Sequence, residues 1–520
     1  MKKKNSLGKV LKRYNKIRYI GLIEGLLVGI CSGFVVIAFR LALEKVKFFS
    51  GYMTNLCKQD SFYMALWITI LSIGALIIRS LLKWEPLISG SGIPQVAGEL
   101  KGYIEQPWYK VLSSKLIGGT VAIGMGLSMG REGPSVQLGA MCGKGYSRIA
   151  SKSLTEEKLL ITCGAAAGLS AAFNAPIAGA LFALEELNKG FNREVLVSSM
   201  ASSIAGNFVC RNVFGLAPIF DFSKVVPIPF SHIWLVLLVG VITGIFGAVY
   251  NKTTDFAQNL YEKISLSYIK ILIPFLLAGL LAFLLPEVLG GGSDLVSIIA
   301  GGIPLKLLLI LFLVKFLFSI SCFASGAPGG IFLPLLVMGA LIGGIFHGTF
   351  ELMGMSLNLE AVIILGMVGA FSAIVKSPIT GIILITEMTG NFIHLVFLSV
   401  VALTAYTVSG LLGTEPIYEQ LLHRLLNKSR KNTPKQEANM DIVLETPVQM
   451  GSYICERKYK DLKLPQNCVV VAIRSHEIDQ VPEDDIVLRH GDSILTACPR
   501  ANLPEVQNAL DDMCIRFDEE

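Results

Sequence analysis

The sequence predicts an all-α polytopic membrane protein with an inverted-topology repeat and broken or re-entrant helices, followed by a small α+β cytoplasmic domain. Of the 520 residues, 52% are hydrophobic and only 16% are charged, which is far more apolar than a soluble globular protein. The apolar runs are repeatedly interrupted by glycine and proline, and several motifs occur twice in the same order. After about residue 420 the composition becomes that of a soluble protein.

The chain begins with a basic segment. Residues 1–18 contain eight lysines and arginines and no acidic residue. Such a cluster ahead of a membrane span indicates a cytoplasmic N-terminus rather than nucleic-acid binding. The apolar run that starts at Tyr19 is longer than the core of a cleaved signal peptide, so we expect it to be a true span.

The apolar runs define a predicted transmembrane domain over residues 19–425. They lie at about 19–48, 62–83, 111–129, 159–187, 195–215, 232–250, 268–289, 304–323, 331–354, 360–388 and 393–413. Several are too long or too broken to be one straight span of about 20 residues. Non-helical backbone at membrane depth is tolerated where it is buried in protein or lines an aqueous path. The sequence therefore predicts discontinuous helices around such a path.

An internal repeat supports this architecture. Residues 168–185 align with residues 370–387 at an offset of 202, with matching Ser, Ala, Pro, Ile, Gly and Glu positions. Gly90-Ser91-Gly92 aligns with Gly290-Gly291-Gly292, and we also align Gly130-x-x-Gly133 with Gly326-x-x-Gly329. These matches predict two halves, near 19–215 and 232–425, with the substrate at their interface near the midplane. The alternative is that small-residue packing motifs simply recur among membrane helices.

One stretch, residues 130–139 (G-R-E-G-P-S-V-Q-L-G), places Arg131 and Glu132 within otherwise apolar sequence. A charge at membrane depth costs about 2.5–3.5 kcal/mol on insertion scales and faces a cavity or the protein interior. The glycines and Pro134 predict a break followed by a helix N-terminus, where free N–H groups can hold an anion or the carboxylate of Glu132. An interfacial loop with both charges in water is the alternative.

Three further breaks supply hydrogen-bond donors. The first, residues 90–94 (G-S-G-I-P), offers the Ser91 hydroxyl; the second, residues 329–334 (G-G-I-F-L-P), offers the N–H groups of Ile331 and Phe332. The third, residues 413–418 (G-T-E-P-I-Y), places the Tyr418 hydroxyl at the end of the last span. Each has a plainer alternative, such as a helix-ending turn or an interfacial tyrosine. Together these neutral donors describe a site for an anion that must also leave.

The remaining patterns exclude several classes of chemistry. The sequence has no G-x-x-x-x-G-K-[ST] motif, which argues against ATP-driven transport by this chain. The ten cysteines and six histidines are scattered and include no C-x-x-C pair. We therefore predict no metal site, no cofactor, no disulfide framework and no catalytic residue.

The C-terminal segment divides into a basic linker, residues 426–440, and a soluble-like domain, residues 441–520. The linker composition indicates a cytoplasmic location. Short apolar runs broken by Pro465, Pro482 and glycine predict a small α+β domain. These runs are at 441–444, 468–474, 486–488 and 493–497.

The four glycine-rich motifs resemble those of the CLC family of chloride channels and chloride/proton antiporters. The resemblance covers roughly residues 20–425 and rests on G-S-G-I-P, G-R-E-G-P, G-G-I-F-L-P and E-P-I-Y. It implies the CLC fold and a homodimer in which each subunit has its own pore. By this resemblance Ser91 and Tyr418 hold a central chloride, the N–H groups of Ile331 and Phe332 lie beside it, and Glu132 is the movable gate. Gln95 departs from the family, which often has glutamate there.

A second carboxylate bears on the choice between antiporter and channel. In the family's antiporters an internal glutamate handles protons, and Glu186 matches it, whereas passive channels commonly have an apolar residue there. Burial can raise a carboxyl pKa enough for proton exchange near neutral pH. We interpret the adjacent Glu185 and its repeat partner Glu387 as structural, bonded to nearby backbone.

The resemblance also bears on selectivity and regulation. Serine in G-S-G-I-P resembles chloride-selective members, and bromide and nitrate are expected to pass because neutral donors discriminate weakly. Residues 464–474, 481–488 and 490–495 resemble the RCK-C (TrkA-C) regulatory module. That likeness implies a small cytoplasmic ligand, such as a cyclic dinucleotide or another anion, bound at 441–520. A domain that only stabilises the dimer is the alternative.

The sequence as a whole predicts a dimeric chloride/proton antiporter, surrounded by lipid in the plasma membrane, with both termini cytoplasmic. Two other functions stay open. One is a passive, voltage- or ligand-gated chloride channel that uses the same residues. The other is a membrane-embedded enzyme with Glu132 and Glu186 as acid and base, which we consider the weaker alternative.

Overall fold

The computed structural model describes residues 2–514 except 216, 221, 223–224, 227, 356, 433–440, 450–451, 463, 465–467, 476–477 and 500–501. Part of the predicted linker and part of the 464–474 motif lie outside these described residues. The chain divides into two compact units: residues 1–96 with 106–418, and residues 97–105 with 419–520. We call them the membrane unit and the C-terminal unit.

The membrane unit contains two successive sets of eight helices among the described residues. The first set is α1 (Lys2–Cys57), α2 (Ser61–Trp84), α3 (Ile93–Leu100), α4 (Trp108–Gly124), α5 (Glu132–Ile149), α6 (Leu154–Phe173), α7 (Pro176–Phe182) and α8 (Arg193–Phe214). The second is α9 (Ile233–Glu262), α10 (Ser267–Leu284), α11 (Ser293–Ala300), α12 (Leu305–Ala324), α13 (Phe332–Leu352), α14 (Leu359–Val375), α15 (Pro378–Thr389) and α16 (Leu395–Leu411). Equivalent helices follow in the same order, so the predicted repeat is confirmed.

Helix boundaries are equivalent in the two halves. Pro176 and Pro378 each occupy the first turn of a helix, where the missing N–H costs nothing. Each follows a residue with left-handed backbone, Asn174 or Lys376, that ends the preceding helix. The runs 159–187 and 360–388 are therefore each two helices with a break, as the sequence predicts.

One of the three repeat alignments is wrong. Gly130 corresponds to Gly330, because the two residues pair with each other in an antiparallel bridge and each lies two residues before its helix, α5 or α13. Their true offset is 200, whereas aligning Gly130 with Gly326 requires 196. Gly126 and Gly326, both at positive φ, are the equivalent turn residues.

Close helix packing explains several glycines of the repeat. A Cβ added at Gly143 would collide with the Leu160 carbonyl of α6, and one at Gly343 would collide with the Val362 carbonyl of α14. Glycine at these positions lets α5 approach α6, and α13 approach α14, at backbone distance. Six described helices are long and apolar enough to cross a membrane, and three others are shorter but apolar. The chain is thus a multi-pass membrane protein.

The C-terminal unit contains a four-stranded antiparallel sheet of order β1-β4-β2-β3. The strands are β1 (Asp441–Pro447), β2 (Val469–Ser475), β3 (Ile478–Gln480) and β4 (Ser493–Pro499). Two helices accompany them, α17 (Ile417–Asn432), which begins in the membrane unit, and α18 (Leu503–Cys514). Three of the four predicted apolar runs are strands. The run 486–488 instead makes one isolated bridge, between Val487 and Lys458.

Two clusters of buried side chains form the core of the C-terminal unit. We call them the linker-side cluster (Tyr103, Leu422, Leu426, Leu444, Cys498, Val506, Leu510) and the sheet-side cluster (Val448, Ile454, Val470, Ile473, Leu488, Ile494, Cys514). The linker-side cluster includes Tyr103, which follows α3, together with two residues of α17. The sequence gives no signal that residues 97–105 join this unit.

Candidate anion and proton site

Helix α5 begins at Glu132 because the preceding segment is held as a turn against the other half of the repeat. The Gly130 N–H donates to the Gly330 carbonyl at 2.7 Å, and the Gly330 N–H donates back at 2.8 Å. Helices α5 and α13 thus start next to each other, with their unpaired first-turn N–H groups in the protein interior. The predicted break followed by a helix N-terminus is confirmed.

The Glu132 side chain is fully buried. Its carboxylate lies beside the backbone N–H groups of Leu333 and of Glu132 itself, but neither oxygen makes a well-formed hydrogen bond among the described residues. An unsatisfied buried carboxylate is costly, so its position next to two helix N-termini indicates a site built to hold negative charge. The alternative of an interfacial loop does not fit this burial.

Arg131 interacts with a different helix end. Its guanidinium donates to the Ala172 carbonyl at 3.4 Å, while Arg40 donates to the Ala171 carbonyl at 3.2 Å and Arg211 to the Asn174 carbonyl at 3.4 Å. These carbonyls are at the C-terminus of α6, which carries partial negative charge. The positive charge that the sequence places beside Glu132 therefore serves to cap a helix.

Ser91 lies in a four-residue turn, Ser89–Gly92, which we call the Ser91 loop. Gly90 and Gly92 have φ of +63° and +94°, angles that favour glycine. A Cβ added at Gly133 would lie 2.8 Å from the Ser91 carbonyl, so the loop rests directly on the first turn of α5. The Ser91 hydroxyl is buried and has no hydrogen-bond partner among the described residues.

Gln95, the departure from the family motif, has a structural contact. Its side-chain amide donates to the Ser89 carbonyl at 2.8 Å, and the Ser89 hydroxyl donates to the Gly326 carbonyl at 3.0 Å. Gln95, in the first turn of α3, therefore stabilises the conformation of the Ser91 loop. The other amide atom, Oε1, is buried without a partner among the described residues.

Ile331 and Phe332 lie where the sequence predicts, at the start of α13, with Ile331 as the residue that precedes the helix. The Phe332 ring is surrounded by Phe173, Phe182 and Phe371, with ring centroids 5.0, 6.1 and 4.8 Å away. These rings give the start of α13 an apolar environment, and a low local dielectric strengthens the attraction of N–H groups for an anion.

Tyr418 is in the first turn of α17 and is buried. Its hydroxyl has no hydrogen-bond partner among the described residues, and it is close enough to Glu132 and to Glu186 to interact electrostatically with both. The preceding loop is held by Asn251, which donates to the Glu415 carbonyl at 3.0 Å, and by Lys376, which donates to the Thr414 carbonyl. Neither of these supporting residues is apparent from the sequence.

Glu186 lies in a π-helical turn (Ala183–Asn188) that follows α7. Its carboxylate accepts a hydrogen bond from the Ser377 hydroxyl at 2.7 Å and lies 3.5 Å from the Lys189 ammonium. The side chain is buried. The sequence analysis identified neither Ser377 nor Lys189 as a partner of Glu186. Ser377 gives no signal because it is remote along the chain, whereas Lys189 could have been found from its spacing, three residues after Glu186.

Glu185 and Glu387 bind backbone of the opposite half. Glu185 accepts hydrogen bonds from the N–H groups of Ile379 and Thr380 at 3.3 and 2.7 Å, at the N-terminus of α15. Glu387 accepts them from Ile177 and Ala178 at 3.1 and 2.8 Å, at the N-terminus of α7. Each half therefore caps a helix of the other, which fits the structural interpretation of both residues.

Comparison with known proteins agrees with this architecture. Residues 73–410 match the family model described as voltage gated chloride channel, and residues 443–511 match the TrkA-C domain. The chain belongs to the voltage-gated chloride channel (CLC) family. The predicted resemblances to the CLC family and to the TrkA-C module are both confirmed.

Individual relatives match about four fifths of the chain. A protein of Vibrio parahaemolyticus named H(+)/Cl(-) exchange transporter ClcA is 35% identical over 438 residues, which are 80% of this chain and 93% of that protein. The ClcA protein of Salmonella paratyphi B is 34% identical over 82% of this chain and 93% of its own length. The crystal structure of a slow cyanobacterial Cl-/H+ antiporter superimposes with a TM-score of 0.75 at 28% identity, covering 78% of this chain and 98% of that one.

The predicted site residues are thus brought together by the CLC fold. Ser91, Glu132, Ile331 and Phe332 lie at helix starts that touch through backbone. Tyr418 is close enough to Glu132 and to Glu186 to interact electrostatically with both. Their individual roles stay predictions. The structure thus groups neutral donors with two buried carboxylates, Glu132 and Glu186, that both interact electrostatically with Tyr418.

Proposed function

We propose that this chain exchanges chloride for protons across a membrane. One observation carries the proposal: a fully buried, poorly paired carboxylate, Glu132, lies among neutral donors, and a second buried carboxylate, Glu186, interacts electrostatically with the same Tyr418 side chain as Glu132 does. The names of the relatives, H(+)/Cl(-) exchange transporters, agree with this function. They favour transport over a membrane-embedded acid–base enzyme.

The anion half of the cycle follows from the unsatisfied donors. The hydroxyl groups of Ser91 and Tyr418 are buried without partners among the described residues, and leaving a buried donor unpaired costs about 1–3 kcal/mol. A chloride between them and the N–H groups that start α13 would satisfy both. Because no donor carries a full charge, the anion can leave again, and bromide and nitrate are expected to pass as well.

The proton half uses the two carboxylates. Ionised Glu132 occupies the anion position and blocks the path, and its protonation removes the charge that competes with chloride. Glu186 exchanges protons with the cytoplasmic side, while the Ser377 hydroxyl and the Lys189 ammonium hold its carboxylate in place. Proton and chloride movements are coupled because both act through the single side chain of Glu132.

Proton uptake driven by a chloride gradient in liposomes tests the proposal. The purified protein should move protons against their gradient. Glu186→Ala and Glu132→Gln should each abolish proton movement while chloride still passes. Glu351→Gln is the matched control, because Glu351 is an exposed carboxylate on α13, and it should leave coupling unchanged.

Two results would favour the alternatives. Chloride flux without uphill proton movement in the unmodified protein would indicate a passive channel. Intact coupling in Glu132→Gln would refute the assignment of the gate, whatever the transport class.

The family and the sequence support four finer statements within the same proposal. The protein acts as a homodimer, lies among lipids in the plasma membrane, and has both termini in the cytoplasm. The TrkA-C domain binds a small, nucleotide-like cytoplasmic ligand and modulates exchange. Cysteine pairs introduced across a subunit interface, and protease access to the C-terminal unit in sealed vesicles, would test the first and third statements.

A further inference from the structure

Two lysines are buried at equivalent positions of the repeat. Lys115 in α4 and Lys315 in α12 are both fully inaccessible to solvent. A buried amine is strongly unfavourable unless its hydrogens are bonded. Both lysines are inside predicted apolar spans, 111–129 and 304–323, and their shared offset of 200 is the sequence signal that relates them.

The two amines make equivalent hydrogen bonds. Lys115 donates to the carbonyls of Ile88 and Gly90 at 2.8 and 2.7 Å. Lys315 donates to the carbonyls of Val288 and Gly290, both at 2.8 Å. In each half the lysine therefore fixes the end of a 3-10 turn, Pro86–Ile88 or Pro286–Val288, and the glycine loop that follows it.

The two loops that the lysines fix differ in sequence and in backbone contacts. The loop held by Lys115 carries the Ser91 hydroxyl, whereas the equivalent loop has Gly291 at that position. The Gly90 carbonyl also accepts the Gly329 N–H at 3.0 Å. Gly329 opens the segment that leads to Ile331 and Phe332, so a single carbonyl joins two of the anion-binding loops and Lys115.

In the loop held by Lys315, no backbone N–H of the described residues donates to the Gly290 carbonyl, which is the equivalent of the Gly90 carbonyl. The backbone contact of this loop is the Gly290 N–H, which donates to the Gly126 carbonyl at 3.1 Å. Gly126 is in the turn after α4 and is not one of the predicted anion-binding residues. The repeat thus provides two lysines with the same burial and hydrogen bonding, only one of which fixes a loop that carries a hydroxyl donor and accepts a hydrogen bond from Gly329.

We propose that Lys115 is a positioning residue for anion binding, which sets the spacing between the Ser91 hydroxyl and the N–H groups of Ile331 and Phe332. The inference rests on the proposed chloride site. It does not depend on the charge of the lysine, since an amine in either protonation state can donate both hydrogen bonds. Lys115 acts through the backbone of the two loops and does not touch the anion.

The test compares Lys115→Met with Lys315→Met in the full-length protein. Methionine approximates the length of the lysine stem without the amine. Chloride affinity is measured by calorimetric titration in detergent, and folding by thermal unfolding. Both variants should unfold at lower temperature to a similar extent, but only Lys115→Met should bind chloride more weakly, by about tenfold or more. Lys115→Arg, which retains donors, should recover part of the affinity.

A second variant covers the case in which Lys115→Met does not fold. Ser89→Ala removes a side-chain hydrogen bond from the Ser91 loop to the turn that precedes Gly329, the bond to the Gly326 carbonyl at 3.0 Å. If the position of the Ser91 loop sets chloride affinity, this variant should also weaken chloride binding. The inference would be overturned if a folded Lys115→Met variant bound chloride with unchanged affinity, or if Lys315→Met lost as much affinity as Lys115→Met. If Lys115→Met does not fold, unchanged chloride affinity in Ser89→Ala would overturn it. If the unmodified protein binds no chloride, the proposed function fails instead.

Discussion

The buried polar side chains of the membrane unit that lack a well-formed hydrogen bond among the described residues include Ser91, Glu132 and Tyr418. Unsatisfied buried groups cost about 1–3 kcal/mol each, and more when they are charged. Ordinary protein interiors pair such groups. Their convergence near the starts of α5, α13 and α17 therefore indicates a place where a ligand or a proton completes the bonding.

Ser377 offers a prediction at the same scale. Its hydroxyl donates to the Glu186 carboxylate at 2.7 Å. Ser377→Ala should lower proton flux several-fold, with a smaller effect on chloride flux, because the proton-handling carboxylate loses the contact that orients it. Parallel proton and chloride flux measurements in liposomes would check this.

The control for Ser377→Ala is Ser202→Ala. Ser202 is another fully buried serine, and its hydroxyl donates to the Cys163 carbonyl at 2.9 Å. The control should keep the ratio of proton to chloride flux. An unchanged ratio in Ser377→Ala would show that Lys189 and the surrounding backbone suffice to hold Glu186.

Residues were predictable from the sequence where a short motif marks them, and were not where their role depends on partners distant along the chain. Glu132 and Ser91 stand out because each lies in a short glycine-rich motif within apolar sequence. Lys115 and Ser377 do not, because their partners, the Gly90 carbonyl and the Glu186 carboxylate, are set by tertiary packing. The prediction of an anion site made of neutral donors remains compatible with Lys115, because in our proposal this lysine acts through backbone and does not touch the anion.

At the scale of elements, the repeat was predictable because proline and charged residues mark it. Pro176 and Pro378 begin equivalent helices, and Glu185 and Glu387 follow at equal distances. The alignment of Gly130 with Gly326 failed because both residues belong to a G-x-x-G pattern, which small-residue packing makes common. The backbone bridge between Gly130 and Gly330 identifies the correct partner.

The exchanged caps lead to a prediction about stability. Glu185→Ala and Glu387→Ala should each destabilise the protein by about 1–2 kcal/mol, because two N–H groups at a helix N-terminus lose their acceptor. Glu185→Ala should cost more, since Glu185 also accepts the Thr380 hydroxyl at 2.7 Å. Thermal unfolding in detergent measures both effects.

The exposed glutamate Glu351 again provides the control for this pair. Its side chain is 72% exposed, so Glu351→Ala should leave the unfolding temperature nearly unchanged. Equal stability of Glu185→Ala, Glu387→Ala and the control would mean that the two halves do not depend on these caps.

For the whole molecule, the order of the two units followed from composition, but the assignment of residues 97–105 to the C-terminal unit did not. Helix α3 begins two residues after Ser91, and the Tyr103 that follows it packs in the linker-side cluster. Helix α17 contains Tyr418 and contributes Leu422 and Leu426 to the same cluster. Both hydroxyl donors of the predicted anion site are therefore continuous, along the chain, with one core of the C-terminal unit.

This continuity predicts that the two cores of the C-terminal unit differ in their effect on exchange. Leu510 in the linker-side cluster and Leu488 in the sheet-side cluster are both fully buried. Truncating either to alanine should destabilise the unit by about 2–5 kcal/mol. Only Leu510→Ala should change the chloride exchange rate in liposomes, because its cluster contains Tyr103, which follows α3, and Leu422 and Leu426 of α17. The proton-to-chloride ratio should stay constant in both variants, since Glu132 and Glu186 belong to the membrane unit. Equal exchange rates in the two variants would show that the C-terminal unit does not act through these helices.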